Sequence, residues 1–212
     1  MTRARHSSAW GPIRHFQRRP QHTPLEQRLH TPAASLSPAI AWQHFDERRH
    51  AAAGRFWHAA LHNALTAGRR DLGGGILSDL AHQPLWLADA RGAVAILEHA
   101  IPRTPHPTAR SFLHLRQARA LAALGEDGPC RRALTAADKA PQAPSCDPAP
   151  AWCSWTGTAD LAADSGRCLA DLGQRQRSHQ LMDEGIALLT ATRSKTRAVF
   201  LPADRSRQAN AR

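Results

Sequence analysis

His58 and His62 stand four residues apart in the run HAALH, the spacing at which one helical face can offer two imidazoles to a metal ion. A zinc-peptidase helix would carry glutamate directly after the first histidine, but Ala59 occupies that place. No third ligand stands nearby in sequence, so neither a metal nor another cofactor is expected. Gly73, Gly74 and Gly75 lack the preceding strand and the following G-K-S/T of a phosphate loop, and read as a break before a helix. Asp46 and Glu47 are adjacent near a turn and have no spacing suited to an acid–base pair. The cysteines at 130, 146, 153 and 168 contain no C-x-x-C pair, which suits reduced, cytoplasmic thiols. These residues predict no catalytic group and no enzyme.

Arginine is the chemistry this protein has in abundance. Its net charge is +11, and of 28 basic residues only Lys139 and Lys195 are lysine. The excess sits at the ends: residues 1–31 carry six Arg against Glu26, and residues 193–212 carry five Arg and Lys195 against Asp204. Basic ends of this kind can neutralise nucleic-acid phosphates, although Pro-interspersed Arg with little apolar content also describes a solvated tail. No segment reaches the roughly 20 apolar residues of a membrane helix, and the first thirty residues show no apolar leader core.

Between the ends, apolar residues recur at three and four and never alternate. The spacing predicts helices over 37–48, 51–67, 72–87, 90–101, 109–124, 129–140, 157–172 and 175–191. Residues 141–150, with four prolines, form a linker. The expected organisation is a basic tail over 1–35, a helical domain over 36–201 and a second basic tail over 202–212. Trp152 and Trp155, just after the linker, should fold it back onto the helices, and Trp57 and Trp86 should be core.

The helices pair around turns at Arg48, Ala88, Gly125 and Gly173, and the pairs share a register. Seven residues before each turn stand Ala41, Ala81, Ala118 and Gly166; five after it, Ala53, Ala93, Cys130 and Ser178; twelve after it, Ala60, Ala100, Ala137 and Gly185. Nine after it the residue is bulky: Trp57, Leu97, Leu134 and Met182. Small residues let two helices approach closely, and a large one a turn away fills the groove beside them. Ser178 and Gly185 stand where alanine is usual, which marks the last pair as the weakest.

These columns are similar to those of the tetratricopeptide repeat, a helix–turn–helix unit of about 34 residues, here spaced 40, 37 and 48 residues apart. The segments GILSDLAHQ (75–83), HLRQARALAALGEDGPCRRAL (114–134) and PAWCSWTGTADLAADSGRCLADLG (150–173) resemble the repeat domain that follows the DNA-binding domain in actinobacterial, lambda-repressor-like transcriptional regulators. The resemblance covers about residues 36–201. It implies an all-α, right-handed solenoid of about four degenerate hairpins. The short, Pro-rich stretch before it provides no DNA-reading domain, so that activity does not carry over.

In such a solenoid the first helix of each pair lines a concave groove able to take a peptide or a partner helix. The residue six before each turn should face it: Trp42, His82, Arg119 and Arg167. Guanidinium groups in that row suit an acidic peptide or a free terminal carboxylate, since their planar fork pairs both carboxylate oxygens. The expected role is a protein- or peptide-binding scaffold in bacterial transcriptional regulation, with self-association into a homodimer a further option. Two alternatives stay open: nucleic-acid association through the Arg-rich ends, and a truncated remnant of a regulator.

Overall fold

The computed structural model describes residues 24–140 and 147–188, with backbone alone for 24–27. Among the described residues it is all-helical, with eight α-helices and no strand. They are α1 (Pro24–Asp46), α2 (His50–Thr66), α3 (Arg70–Trp86), α4 (Ala90–Ala100), α5 (Pro107–Ala123), α6 (Asp127–Lys139), α7 (Thr158–Asp171) and α8 (Arg175–Leu188). A short 3₁₀ turn, Ile101–Arg103, bridges α4 to α5. No described helix is long and apolar enough to cross a membrane.

One turn is used five times. The connections 47–49, 67–69, 87–89, 124–126 and 172–174 each hold three residues, the middle one left-handed: Arg48, Gly68, Ala88, Gly125 and Gly173 have φ of 60° to 78°. The following N–H reaches back to the carbonyl five residues earlier, as in Arg49 to His44 (2.8 Å), Asp89 to Pro84 (2.7 Å) and Gln174 to Leu169 (2.8 Å). This hydrogen-bond pattern caps the carbonyls a helix C-terminus leaves open and reverses the backbone within three residues. Each helix thus lies against its successor: α1 on α2, α3 on α4, α5 on α6 and α7 on α8, with α2 on α3 and α4 on α5 between them. First helices also touch in sequence, α1 with α3, α3 with α5 and α5 with α7.

All twelve small-column residues are buried, from Ala41, Ala53 and Ala60 to Gly166, Ser178 and Gly185. Trp57 and Leu97 from the bulky column are fully enclosed, while Leu134 and Met182 are half-buried. The glycines of the last pair stand where the facing backbone leaves no room for a β-carbon: one on Gly185 would stand 3.0 Å from the Ala159 carbonyl oxygen, and one on Gly166 would stand 3.0 Å from the Ser178 carbonyl oxygen. Beside this pair, the buried Cys130 thiol of α6 meets that of Cys168 in α7; hydrogen bonding to Cys130 and burial both hold the Cys168 thiol protonated.

Three expectations need correction. The helical body does not start at residue 36: α1 begins at Pro24 and runs on through Pro32 and Pro38. A proline inside a helix removes one backbone donor and crowds the preceding turn, but α1 lies along α2 over much of its length. That contact buries Ala34 and joins His30 Nδ1 to Asn63 Oδ1. The expected tail thus lies outside the described residues only over 1–23, and 202–212 lies wholly outside them.

The glycine triplet is no break either. Gly73, Gly74 and Gly75 lie inside α3 and are buried, because the segment before α7 folds back across this helix. Trp86, expected in the core, is 67% exposed at the C-terminal end of α3.

Candidate functional site

The row expected from the register lies on α1, α3, α5 and α7, one residue per helix, and all four side chains are half-buried. Trp42 of α1 and His82 of α3 are in contact, with ring centroids 5.2 Å apart. Arg119 of α5 donates to Asp171 Oδ2 of α7 at 3.0 Å. Arg167 Nη1 of α7 lies 3.6 Å from Asp164 Oδ1 on its own helix. Both guanidinium groups therefore already face carboxylates, and a ligand carboxylate would have to compete with Asp171 and Asp164.

A second row joins the first, and reading the residue six before the turn misses it. Counting nine back from Ala88, Gly125 and Gly173 gives Asp79, Arg116 and Asp164, so charge alternates acid, base, acid along α3, α5 and α7. Asp79 accepts the Trp42 indole N–H at 3.1 Å. Arg116 Nη1 lies 2.8 Å from His82 Nδ1, which accepts its hydrogen. The same guanidinium sits over the Phe112 ring, 4.9 Å from its centroid. Its Nε is buried with no hydrogen-bond partner. The signal was present in the register, but one polar residue in a helix does not announce whether it faces a neighbour or water.

Electrostatics follow from burial. Burial pushes the Asp79 carboxyl up to about 6, against the pull of the Trp42 hydrogen bond and the Arg116 charge. Burial, reinforced by Arg116 and Arg119, pulls His82 down to about 4, so its imidazole is neutral at pH 7. Burial also lowers Arg116, while Asp164 and Asp79 hold its charge in place. The result is a half-buried polar seam between first helices, flanked at one end by the exposed Trp86 ring, 6.4 Å from His82.

At the other end the connector before α7 closes in. Trp152 packs on Gly75, its indole N–H donating to the Asp71 carbonyl at 2.9 Å. Trp155 is half-exposed against Phe112, with centroids 5.4 Å apart. The residues that could have held a metal do other work: His58 Nδ1 is 2.7 Å from the Gly54 carbonyl oxygen, and His62 lies edge-on to His30. Among the described residues no group of three or more His, Cys, Asp or Glu could hold a metal ion. A separate cleft of about 710 Å³ opens between α4, α5 and α6, floored by Val94 and Leu121 and rimmed by Arg91 and Arg132.

The arrangement sets two carboxylates, an imidazole and three guanidinium groups along the first helices α3, α5 and α7. No family model matches the protein, and neither curated proteins nor solved structures yield a match.

Proposed function

We propose that this protein is a tetratricopeptide-like stack of helical hairpins that serves as a protein- or peptide-binding scaffold in the cytoplasm, in a bacterial transcriptional regulatory system. The observation that carries the reading is the shared register of the polar side chains on successive first helices: Trp42, His82, Arg119 and Arg167, backed by Asp79, Arg116 and Asp164. A fixed phase repeated on adjacent helices makes a continuous strip, which is what an extended peptide needs. Arg119 and Arg167 are the residues proposed to hold acidic side chains or a terminal carboxylate, by exchanging Asp171 and Asp164 for the ligand. Those internal pairs are partly exposed, and each contributes about 0–1 kcal/mol, so exchange is not prohibitive. The regulatory setting rests on the resemblance of residues 75–83, 114–134 and 150–173.

The test is selection of a displayed peptide library, with free C-termini, on the purified protein. Wild type should enrich acidic sequences, and the double variant Arg119→Ala/Arg167→Ala should lose that enrichment while keeping its helical circular dichroism. Equal enrichment on both proteins would overturn the assignment. A second reading is favoured by the +5 balance of each basic end: association with nucleic acid, which should weaken steeply with salt. The first balance is carried by residues 1–23 alone, which with 193–212 lie outside the described residues, and deleting 1–23 and 193–212 separates the two readings.

A further inference from the structure

The three guanidinium groups of the two polar rows are not equally satisfied. Arg119 and Arg167 each lie within ion-pair distance of an aspartate, whereas among the described residues Arg116 forms no ion pair. Its Nη1 meets the neutral His82 imidazole, and its guanidinium lies over the Phe112 ring. Neither neighbour brings a counter-charge. Asp79 and Asp164 act on Arg116 from a distance, the one accepting from Trp42 and the other lying beside Arg167. The buried Nε has no acceptor, so one edge of the planar fork is unpaired. A half-buried charge with an orphaned donor is costly. One carboxylate on that edge would satisfy the donor and the charge together.

Exposed tryptophans stand on both sides of this group. Trp152 reaches from Gly75 of α3 to Phe112 of α5, while His82 meets Arg116 farther along both helices, so α3 and α5 run the same way. Trp86 follows His82 by four residues and is 67% exposed. Trp155, 48% exposed, packs edge-on against Phe112, which precedes Arg116 by four. The two aromatic surfaces are therefore displaced in opposite directions, each by about one helical turn of roughly 5.4 Å. An extended peptide sets residues i−2, i and i+2 on one face, about 7 Å apart. An acidic side chain between two large apolar ones fits that spacing. A terminal carboxylate has neighbours on one side only and would leave one tryptophan bare.

The geometry points to Arg116 as the central anion subsite of the groove, its ligand an extended segment with an internal aspartate or glutamate. Large apolar side chains at i−2 and i+2 of that segment cover Trp86 and Trp155. This rests on the peptide-groove reading and narrows it, because arginine and tryptophan are the side chains on which binding energy concentrates.

Titration calorimetry on the full-length protein at neutral pH tests it. The probe is an acetylated, amidated peptide with one aspartate and a leucine two positions to each side, so that it carries no terminal carboxylate. Wild type should bind it, and changing the aspartate to asparagine or both leucines to serine should weaken binding about tenfold or more. Arg116→Gln should erase the preference for aspartate over asparagine. Trp86→Ala and Trp155→Ala should each weaken the leucine peptide about tenfold; their rings are exposed, so these variants keep the proposal testable if Arg116→Gln fails to fold. No binding by wild type, an aspartate preference that survives Arg116→Gln, or indifference to the leucines or to both tryptophan changes would each overturn it. So would tighter binding of a single-stranded oligothymidylate, whose bases could stack on the same rings. If wild type enriches acidic library peptides but not this probe, the subsite falls and the groove stands; if it binds neither, both fall.

Discussion

The indole of Trp152 lies so close to Gly75 that a β-carbon on that glycine would stand 2.8 Å from the ring. Two segments 77 positions apart in sequence, the connector before α7 and the first half of α3, thus share one contact. The glycine is there because the backbone itself is the seat, and the Asp71 carbonyl one turn earlier takes the indole N–H.

Gly75→Ala should therefore destabilise although it improves helix propensity. Alanine gains about 1 kcal/mol over glycine in a helix, but overpacking against a rigid ring costs about 1–3 kcal/mol. We expect a net loss of about 1 kcal/mol, read as a lower urea midpoint. Gly54→Ala in α2 is the control, since its β-carbon would meet only the Gln83 side-chain amide at 3.7 Å; it should gain about 0.5 kcal/mol.

The five left-handed turn residues predict opposite signs for opposite substitutions. Arg48 and Ala88 hold φ of 60° and 64°, where a β-carbon costs about 1–2 kcal/mol. Ala88→Gly should stabilise by about 0.5–1 kcal/mol once the greater freedom of glycine in the unfolded state is subtracted. Gly125→Ala and Gly173→Ala should each lose about 1 kcal/mol, with no steric contribution, because nothing lies within 4 Å of either added β-carbon. Thermal melts of the three variants check this directly.

Asp79 and His82 should give the stack opposing pH dependences. Asp79 titrates at about 6 against an ordinary 3.8, so between these values the folded state holds the proton the unfolded one has lost. Its contribution to stability falls as pH rises through that window. His82 titrates at about 4 against 6.5, so there the unfolded state binds the extra proton and stability rises with pH. The two largely cancel between pH 4 and 6. Relative to wild type, Asp79→Asn should gain stability from pH 4 to 6, and His82→Asn should lose it from pH 4 to 6.5, by urea unfolding at fixed pH. Parallel curves for all three proteins would mean that neither group is buried.

The sequence by itself determined the helices and their turns. Apolar spacing, short reversals at Arg48, Ala88, Gly125 and Gly173, and the small columns at fixed offsets from each turn are local, and backbone hydrogen bonds between near neighbours enforce the helices and turns that carry them. Only the tertiary structure decided which polar side chains face one another. Arg116 gains its role because α3 and α7 bring Asp79, His82 and Asp164 to it. Trp152 needs a glycine on another helix, and α1 passes through two prolines because α2 lies along it. Such contacts join residues far apart in sequence, and their energies depend on burial and dielectric that no single segment carries.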